Sequence, residues 1–163
     1  PESGRIIIAG EPLTARSAAR LRRGIALIGQ RPHVFAGSLA ANVRLGREGI
    51  GRAAVEAALA SAGLAEVARR RGAVPVGENG VGLSGGEASR LALARIAVAP
   101  QTRLILADEP TAHLDSETAA SITEALMRLS EGRTLIVATH DPVLAGRMDR
   151  VIDLAATRLE DAA

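Results

Sequence analysis

Two adjacent carboxylates, Asp108 and Glu109, follow an apolar run, residues 104–107, that is typical of a buried strand. At the carboxyl end of a strand, the first carboxylate can hold Mg²⁺ and the second can polarise a water molecule. Acidic pairs at strand ends can also be solvated surface groups without a ligand. The pair alone therefore leaves metal-assisted hydrolysis and a plain strand end open.

The stretch Leu83-Ser84-Gly85-Gly86-Glu87 is a second candidate. Ser84 and Glu87 have the spacing of a capping box at the start of a helix. A capping box does not need two glycines, which cost helix stability. Glycines at a helix N-terminus let backbone N–H groups approach an anion whose charge the helix dipole favours. This stretch therefore predicts a phosphate contact, with a simple helix start as the alternative.

His140 and Gln30 each follow a β-rich run. A lone histidine at a strand end is more often a satisfied polar group than a catalytic one, and a lone glutamine indicates even less. Whether either residue has a function therefore depends on the strands and helices that position it.

Those elements alternate between apolar strands and helices. The patterns predict strands over 5–10, 24–29, 103–107, 133–138 and 151–154, and helices over 38–45, 51–62, 64–71, 84–99, 116–130 and 141–147. Buried strands that alternate with helices favour a parallel α/β sheet. Ligands of such sheets bind beyond the carboxyl ends of the strands, which is where the polar candidates lie.

Composition excludes several other classes. All 20 basic residues are Arg, but the formal net charge is only +2, so a high isoelectric point reflects the absence of Lys, Tyr and Cys and not a nucleic-acid surface. The cluster Arg69-Arg70-Arg71 is interpreted as a solvated helix end. The chain has no Cys, which excludes disulfides and thiolate metal sites.

No apolar run approaches the roughly 20 residues that span a bilayer. We expect a soluble chain at the cytoplasmic face of the inner or plasma membrane. Any membrane association then comes through a partner or through a missing segment.

Five stretches taken together resemble the motifs of ABC transporter ATPase domains, in the order of that family. They look like the Q-loop, the signature, Walker B, the D-loop and the switch histidine, and they are Gln30, Leu83–Glu87, Leu104–Pro110, Ala112–Asp115 and Ala138–His140. The stretches 30–38 and 108–115 look most like exporters, in particular the CydD-type half of the bacterial thiol exporter.

The resemblance implies a role for each residue on this half of the site. Asp108 would hold Mg²⁺ through water, Glu109 would be the general base for the attacking water, and His140 would contact the γ-phosphate of ATP. Gln30 would sense Mg²⁺ and couple to the transport subunit. These groups would stabilise the charge that develops on the γ-phosphoryl group.

The resemblance also implies partners. Ser84, Gly85 and Gly86 would cap a nucleotide bound to a second ABC ATPase subunit, identical or not, and Asp115 would link the two sites. Transmembrane domains would be the other partner, and nucleic acid would not be one.

The implied fold is a P-loop NTPase-like parallel sheet, incomplete, with an inserted helical signature subdomain. Residues 1–32 would form a partial ATPase core up to the Q-loop, residues 33–100 the signature subdomain, and residues 101–163 the core with Walker B, D-loop and switch histidine.

The family's phosphate-binding loop, Gly-x-x-x-x-Gly-Lys-Ser/Thr (Walker A), cannot occur in a chain without Lys. We expect a fragment of a longer ATPase, inactive by itself, although natural loss of the loop is the alternative. The expected function is ATP hydrolysis that drives export, with a small thiol as one substrate. The alternatives are a non-hydrolytic capping half of an asymmetric dimer and a soluble ABC ATPase.

Overall fold

The computed structural model describes residues 4–154. The described elements are, in chain order, β1 (Ile7–Ile8), β2 (Glu11–Pro12), α1 (Ala15–Arg22), β3 (Ile25–Ile28), α2 (Leu39–Arg44), α3 (Arg52–Ser61), α4 (Ala65–Arg71), α5 (Gly85–Ala97), β4 (Leu104–Asp108), α6 (Ser116–Ser130), β5 (Thr134–Ala138) and α7 (Pro142–Ala145), with a 3₁₀ turn at Glu78–Gly80.

A parallel sheet in the order β3-β4-β5 forms the centre of the fold. Ile28 pairs with Ala107, and Asp108 pairs with Ala138, so the three strands end at the same edge. The α/β class with a parallel sheet is thereby confirmed. The polar residues that follow the three strands are brought to one edge by this register.

The two faces of this sheet differ in what covers them. Ile28, Ile105 and Ala107 are buried, and they belong to one continuous core that also includes residues of α5 and α6. On the other face, Leu27 is 70% exposed and Ile136 is 55% exposed. Side chains alternate between the faces of a strand, so the described helices cover one face far better than the other.

Helices α2 to α5 pack together into a helical unit between β3 and β4, and α5 also packs on α6. Their buried side chains are mostly aliphatic, among them Val43, Leu59, Leu64 and Leu91, as expected for a chain whose one aromatic residue is Phe35. The proposed division of the chain at residues 32 and 100 stays a prediction. No helix in the described stretch has the length and apolar character that a membrane span needs.

The predicted strand over residues 5–10 is wrong in detail. Ala9 and Gly10, with φ of 51° and 80°, form a tight turn between β1 and β2, and left-handed conformations at both central positions are typical of a two-residue hairpin.

Helix α1 was not expected from the pattern. Thr14 caps it in a capping box with Ser17 in place of the usual Glu or Gln. The predicted strand over residues 151–154 is also wrong: these residues form no strand, and Val151 and Leu154 are 64% and 83% exposed.

Candidate functional site

Glu109 and His140 meet at the carboxyl edge of the sheet. Glu109 is the first residue after β4, and its N–H donates to Ala138 O at the end of β5 (2.9 Å). Its Oε1 accepts from the His140 N–H (3.1 Å) and lies 2.7 Å from His140 Nδ1. The parallel register therefore brings together two of the residues that the sequence predicted as catalytic.

The backbone at Glu109 is in the left-handed region, with φ of 46°, and His113 has φ of 62°. Non-glycine residues rarely adopt this conformation, and it costs of order 1–3 kcal/mol when the surrounding structure imposes it. Such strain is concentrated at functional sites, which supports a role for the loop between Glu109 and His113.

The exposed His140 and the mostly covered Glu109 change each other's proton affinity. The hydrogen bond from His140 holds the pKa of Glu109 below its ordinary value, in spite of desolvation, which acts in the opposite direction. The same hydrogen bond, followed by the carboxylate charge, raises the pKa of His140. The imidazolium–carboxylate form of the pair is thus favoured between the two pKa values.

We expect Glu109→Gln to lower the pKa of His140 towards its ordinary 6.5, because the carboxylate that stabilises the imidazolium is gone. By linkage, the contact stabilises the fold most between the two pKa values: its contribution falls as pH rises through the raised pKa of His140 and as pH falls through the lowered pKa of Glu109. An NMR titration of the His140 imidazole measures the shift. Glu131→Gln is the control, and equal His140 pKa values in all three proteins would contradict the contact.

Asp108 and Gln30 lie at the ends of neighbouring strands. Asp108 is the last residue of β4, Gln30 follows β3 by two residues, and both side chains are exposed. Among residues 4–154, no three His, Asp or Glu side chains form a metal cluster. Mg²⁺ commonly takes one or two carboxylates, several waters and substrate phosphates, so this sparse donor set of one carboxylate and one amide oxygen fits it.

The predicted capping box at the start of α5 is confirmed. The Ser84 N–H donates to Glu87 Oε2 (2.8 Å), and the Glu87 N–H donates to Ser84 Oγ (3.2 Å). The Glu87 carboxylate thus accepts a hydrogen bond at the N-terminus of its own helix. An arginine from the last turn of α4 also pairs with this carboxylate: Arg70 Nη2 lies 3.5 Å from Glu87 Oε1.

The arginine cluster at the end of α4 was interpreted as solvated, and the structure gives its side chains partners. Arg69 pairs with Glu66. Arg71 donates to the carbonyl oxygens of Gly82 (2.6 Å) and Pro75 (3.2 Å). Arg71 therefore holds the loop that leads into the signature stretch, whereas the side chains of Arg69 and Arg70 are 75% and 66% exposed, as expected for a solvated helix end. A run of like charges in sequence could not indicate these contacts.

Gly86 has a packing role that the sequence did not indicate. A Cβ at Gly86 would lie 2.6 Å from Thr118 Cγ2 of α6, whereas a Cβ at Gly85 would meet nothing closer than Leu114 Cδ2 at 3.7 Å. A Cβ at position 86 would therefore force the Thr118 side chain of α6 to shift, whereas a Cβ at position 85 would be accommodated.

We expect Gly86→Ala to destabilise the fold by about 1–3 kcal/mol, the usual cost of overpacking. Thr118→Ser removes the methyl group that the new Cβ would strike, so the double variant should recover most of the loss. Gly85→Ala is the matched control and lacks the clash. Urea unfolding of the four proteins checks the pattern, and equal losses at positions 85 and 86 would contradict it.

Asp115 begins α6, and its Oδ1 accepts the Thr118 N–H (2.9 Å). Asp115 therefore caps the N-terminus of α6, a structural role that the sequence motif did not indicate. Leu114, one residue earlier, faces Gly85, so the signature stretch lies beside the start of α6. No hydrogen bond in the described part of the chain joins Ser84, Gly85 or Gly86 to Glu109 or His140.

A buried polar group that the sequence analysis missed fixes the segment after Gln30. Asn42 is 1% exposed. Its Oδ1 accepts from the Phe35 N–H (2.9 Å) and Arg95 Nη2 (2.8 Å), and its Nδ2 donates to Phe35 O (2.8 Å). Arg95 also donates to His33 O (2.6 Å). An Asn between the core residues Leu39 and Val43 was the available signal.

An open groove lies beside this segment, between β3 and the ends of α2 and α5. Leu27 and Leu45 contribute exposed apolar surface. The charged residues of the described stretch that line the groove are all arginines: Arg22, Arg23, Arg31, Arg47 and Arg95. The groove is thus an apolar and strongly basic surface next to Gln30.

Comparison with known proteins agrees with this fold. A family model described as ABC transporter matches residues 1–112, and one described as AAA domain, putative AbiEii toxin, Type IV TA system, matches residues 83–146. The ATP-dependent lipid A-core flippase of Cupriavidus metallidurans is 37% identical, over 99% of this chain and 28% of that protein. The β-(1→2)glucan export ATP-binding/permease protein NdvA of Rhizobium etli is also 37% identical, over 94% of this chain and 27% of that protein.

A solved structure, that of a bacterial Atm1-family ABC exporter with ATP bound, matches with a TM-score of 0.79 at 32% identity, over 90% of this chain and 26% of that chain. The chain spans about a quarter of the length of these relatives. Because the family model matches residues 1–112 of 163, and the fold agrees with that of a solved exporter, the chain belongs to the ABC transporter family, as part of an exporter's ATP-binding domain.

Proposed function

We propose that this chain is the hydrolytic portion of an ABC exporter ATPase, with Glu109 as the general base. The observation that carries the proposal is the contact between Glu109 and His140 at the sheet edge, 2.7 Å from Oε1 to Nδ1. A carboxylate whose pKa is held low is ionised at neutral pH and can accept a proton from the attacking water. His140 is 84% exposed, and its other ring nitrogen, Nε2, would contact the γ-phosphate of ATP.

Asp108 and Gln30 would hold Mg²⁺ from the ends of β4 and β3. When bound with ATP, the ion neutralises charge on the β- and γ-phosphates. Asp108 would act through water, which suits an exposed carboxylate at the end of its strand. Gln30 lies in the chain between Gly29 and Arg31, which both line the basic groove, and it would relay the state of the site to that surface.

A second ATPase subunit, identical or different, would complete the site. Ser84, Gly85 and Gly86 present backbone N–H groups at the start of the thirteen-residue helix α5, where a helix favours anions. We propose that they cap a nucleotide held by the partner, and that Asp115, at the start of α6, links the two sites.

The other partner would be the transmembrane domains of the exporter, which this chain would contact at the cytoplasmic face of the membrane. The groove beside Gln30, with exposed Leu27 and Leu45, offers apolar surface that a docking segment could cover. Nucleic acid is not proposed as a partner. A small thiol remains a candidate cargo through the likeness of residues 30–38 and 108–115 to the CydD-type half, whereas the names of the relatives favour lipid A-core or glucan.

The 163 residues contain no Lys, so the lysine that grips the β- and γ-phosphates in this family would come from residues outside them. We therefore propose that the 163-residue polypeptide alone does not hydrolyse ATP and that the full-length protein does.

The test is steady-state MgATP hydrolysis by the full-length protein in proteoliposomes, with Glu109→Gln beside the wild type. Loss of turnover with nucleotide binding retained supports the proposal. Unchanged turnover would instead favour a capping half, whose own site does not hydrolyse ATP.

A further inference from the structure

We propose that Thr139 is a positioning residue for the general base, and that its hydroxyl fixes the carboxylate of Glu109 for proton transfer. The proposal rests on the function proposed above. It concerns a residue to which neither the family match nor the sequence motifs give a role of its own.

The hydrogen bonds around Thr139 determine where its single hydroxyl proton goes. Thr139 Oγ1 accepts the Asp141 N–H (3.0 Å) and lies 3.2 Å from Glu109 Oε2. An ionised carboxylate only accepts, so the hydroxyl donates to Glu109. The main-chain donor on one side thus orients the hydroxyl towards the carboxylate on the other.

The two carboxylate oxygens of Glu109 are held by different groups. Oε1 is bound by the His140 N–H and Nδ1, and Oε2 is bound by Thr139. Two anchor points on a planar group fix its rotation about the last side-chain bond, which a contact to one oxygen does not do. A carboxylate offers about four acceptor positions, so these three bonds leave about one for the attacking water.

Thr139 is itself part of a chain of contacts between the two loops. Asp141 Oδ1 accepts the Val143 N–H (2.9 Å), and Asp141 Oδ2 lies 3.4 Å from the hydroxyl of the buried Thr111. The loop after β4 is thereby tied to the loop after β5 through side chains. Thr139, partly buried at the end of β5, is the member of this chain that touches Glu109.

The test compares Thr139→Val with Thr139→Ser in the full-length protein. Valine keeps the shape and β-branching but lacks the hydroxyl, and serine keeps the hydroxyl. We expect Thr139→Val to lower kcat about 10-fold, as for a lost hydrogen bond to a charged group, with KM for ATP within about 2-fold because the phosphates are not touched. Thr139→Ser should restore most of kcat. Thr134→Val, at the exposed first residue of β5, is the matched control.

A double variant separates positioning from general damage. With Glu109→Gln present there is no base to position, so adding Thr139→Val should change turnover by less than about 2-fold. A readout without nucleotide is hydrogen exchange of the His140 amide, which donates to the carboxylate and should exchange faster in Thr139→Val than in Thr134→Val. If Thr139→Val fails to fold, Thr139→Ala replaces it in every comparison.

The possible outcomes are distinct. Wild-type kcat in Thr139→Val, or a loss that serine does not restore, or a further large loss on top of Glu109→Gln, overturns the role of Thr139. Full turnover in Glu109→Gln overturns the proposed function itself, whatever Thr139→Val does.

Discussion

Glu109→Gln should lower kcat for ATP by about 10²–10⁴-fold, the usual contribution of a proton-transfer group. Glutamine has nearly the same shape, and its amide oxygen can still accept the His140 N–H, so the loop conformation should survive. What is lost is the acceptor for the proton of the attacking water. The affinity for ATP should change little, because Glu109 would act on the water and not on the phosphates.

The measurement is steady-state hydrolysis together with equilibrium nucleotide binding, both on the full-length protein. Glu131→Gln makes the same chemical change at an exposed position just after α6, and it should leave both quantities unchanged. A Glu109→Gln protein that hydrolyses ATP at the wild-type rate would rule out this carboxylate as the base. A protein that no longer binds ATP would show instead that Glu109 serves the fold of the site.

The elements with strong local patterns could be predicted from the sequence. Helix α6 has the predicted bounds, Ser116–Ser130, because polar capping and apolar periodicity agree over fifteen residues. The capping box of Ser84 and Glu87 was likewise predicted and confirmed. Adjacent strand ends brought Glu109 and His140 together because buried parallel strands of similar length leave few other arrangements.

What escaped prediction depends on contacts between distant parts of the chain. Gly86 was interpreted as an anion contact, yet its proximity to Thr118 can be known only once α5 lies on α6. The grip of Arg71 on the loop before the signature depends in the same way on a chain reversal. Residue types indicated that these positions were unusual, but not which neighbour made them so.

The second large effect is expected from Asn42, which was also missed. Asn42→Ala should lower the free energy of unfolding by about 2–4 kcal/mol, because it removes a buried hub and leaves charged and neutral donors without acceptors. Arg95 loses the Asn42 Oδ1 acceptor, and the Phe35 N–H loses the one acceptor that it has within residues 4–154. Burial, and then the charge of Arg47, already lowers the pKa of Arg95, so its cation depends on the remaining carbonyl acceptors.

The measurement is urea unfolding followed by circular dichroism, since the chain has no Trp or Tyr to report by fluorescence. Glu56→Gln breaks only an exposed pair with Arg52 and should change stability by less than about 0.5 kcal/mol. Asn42→Asp keeps the acceptor for Arg95 but faces the Phe35 and Ser38 carbonyl oxygens, to which Asn42 Nδ2 donates, with a group that cannot donate. It should therefore lie between Asn42→Ala and the wild type. Equal midpoints for Asn42→Ala and Glu56→Gln would show that this network does not hold α2 against α5, and that the segment after Gln30 is fixed to the signature helix by apolar packing alone.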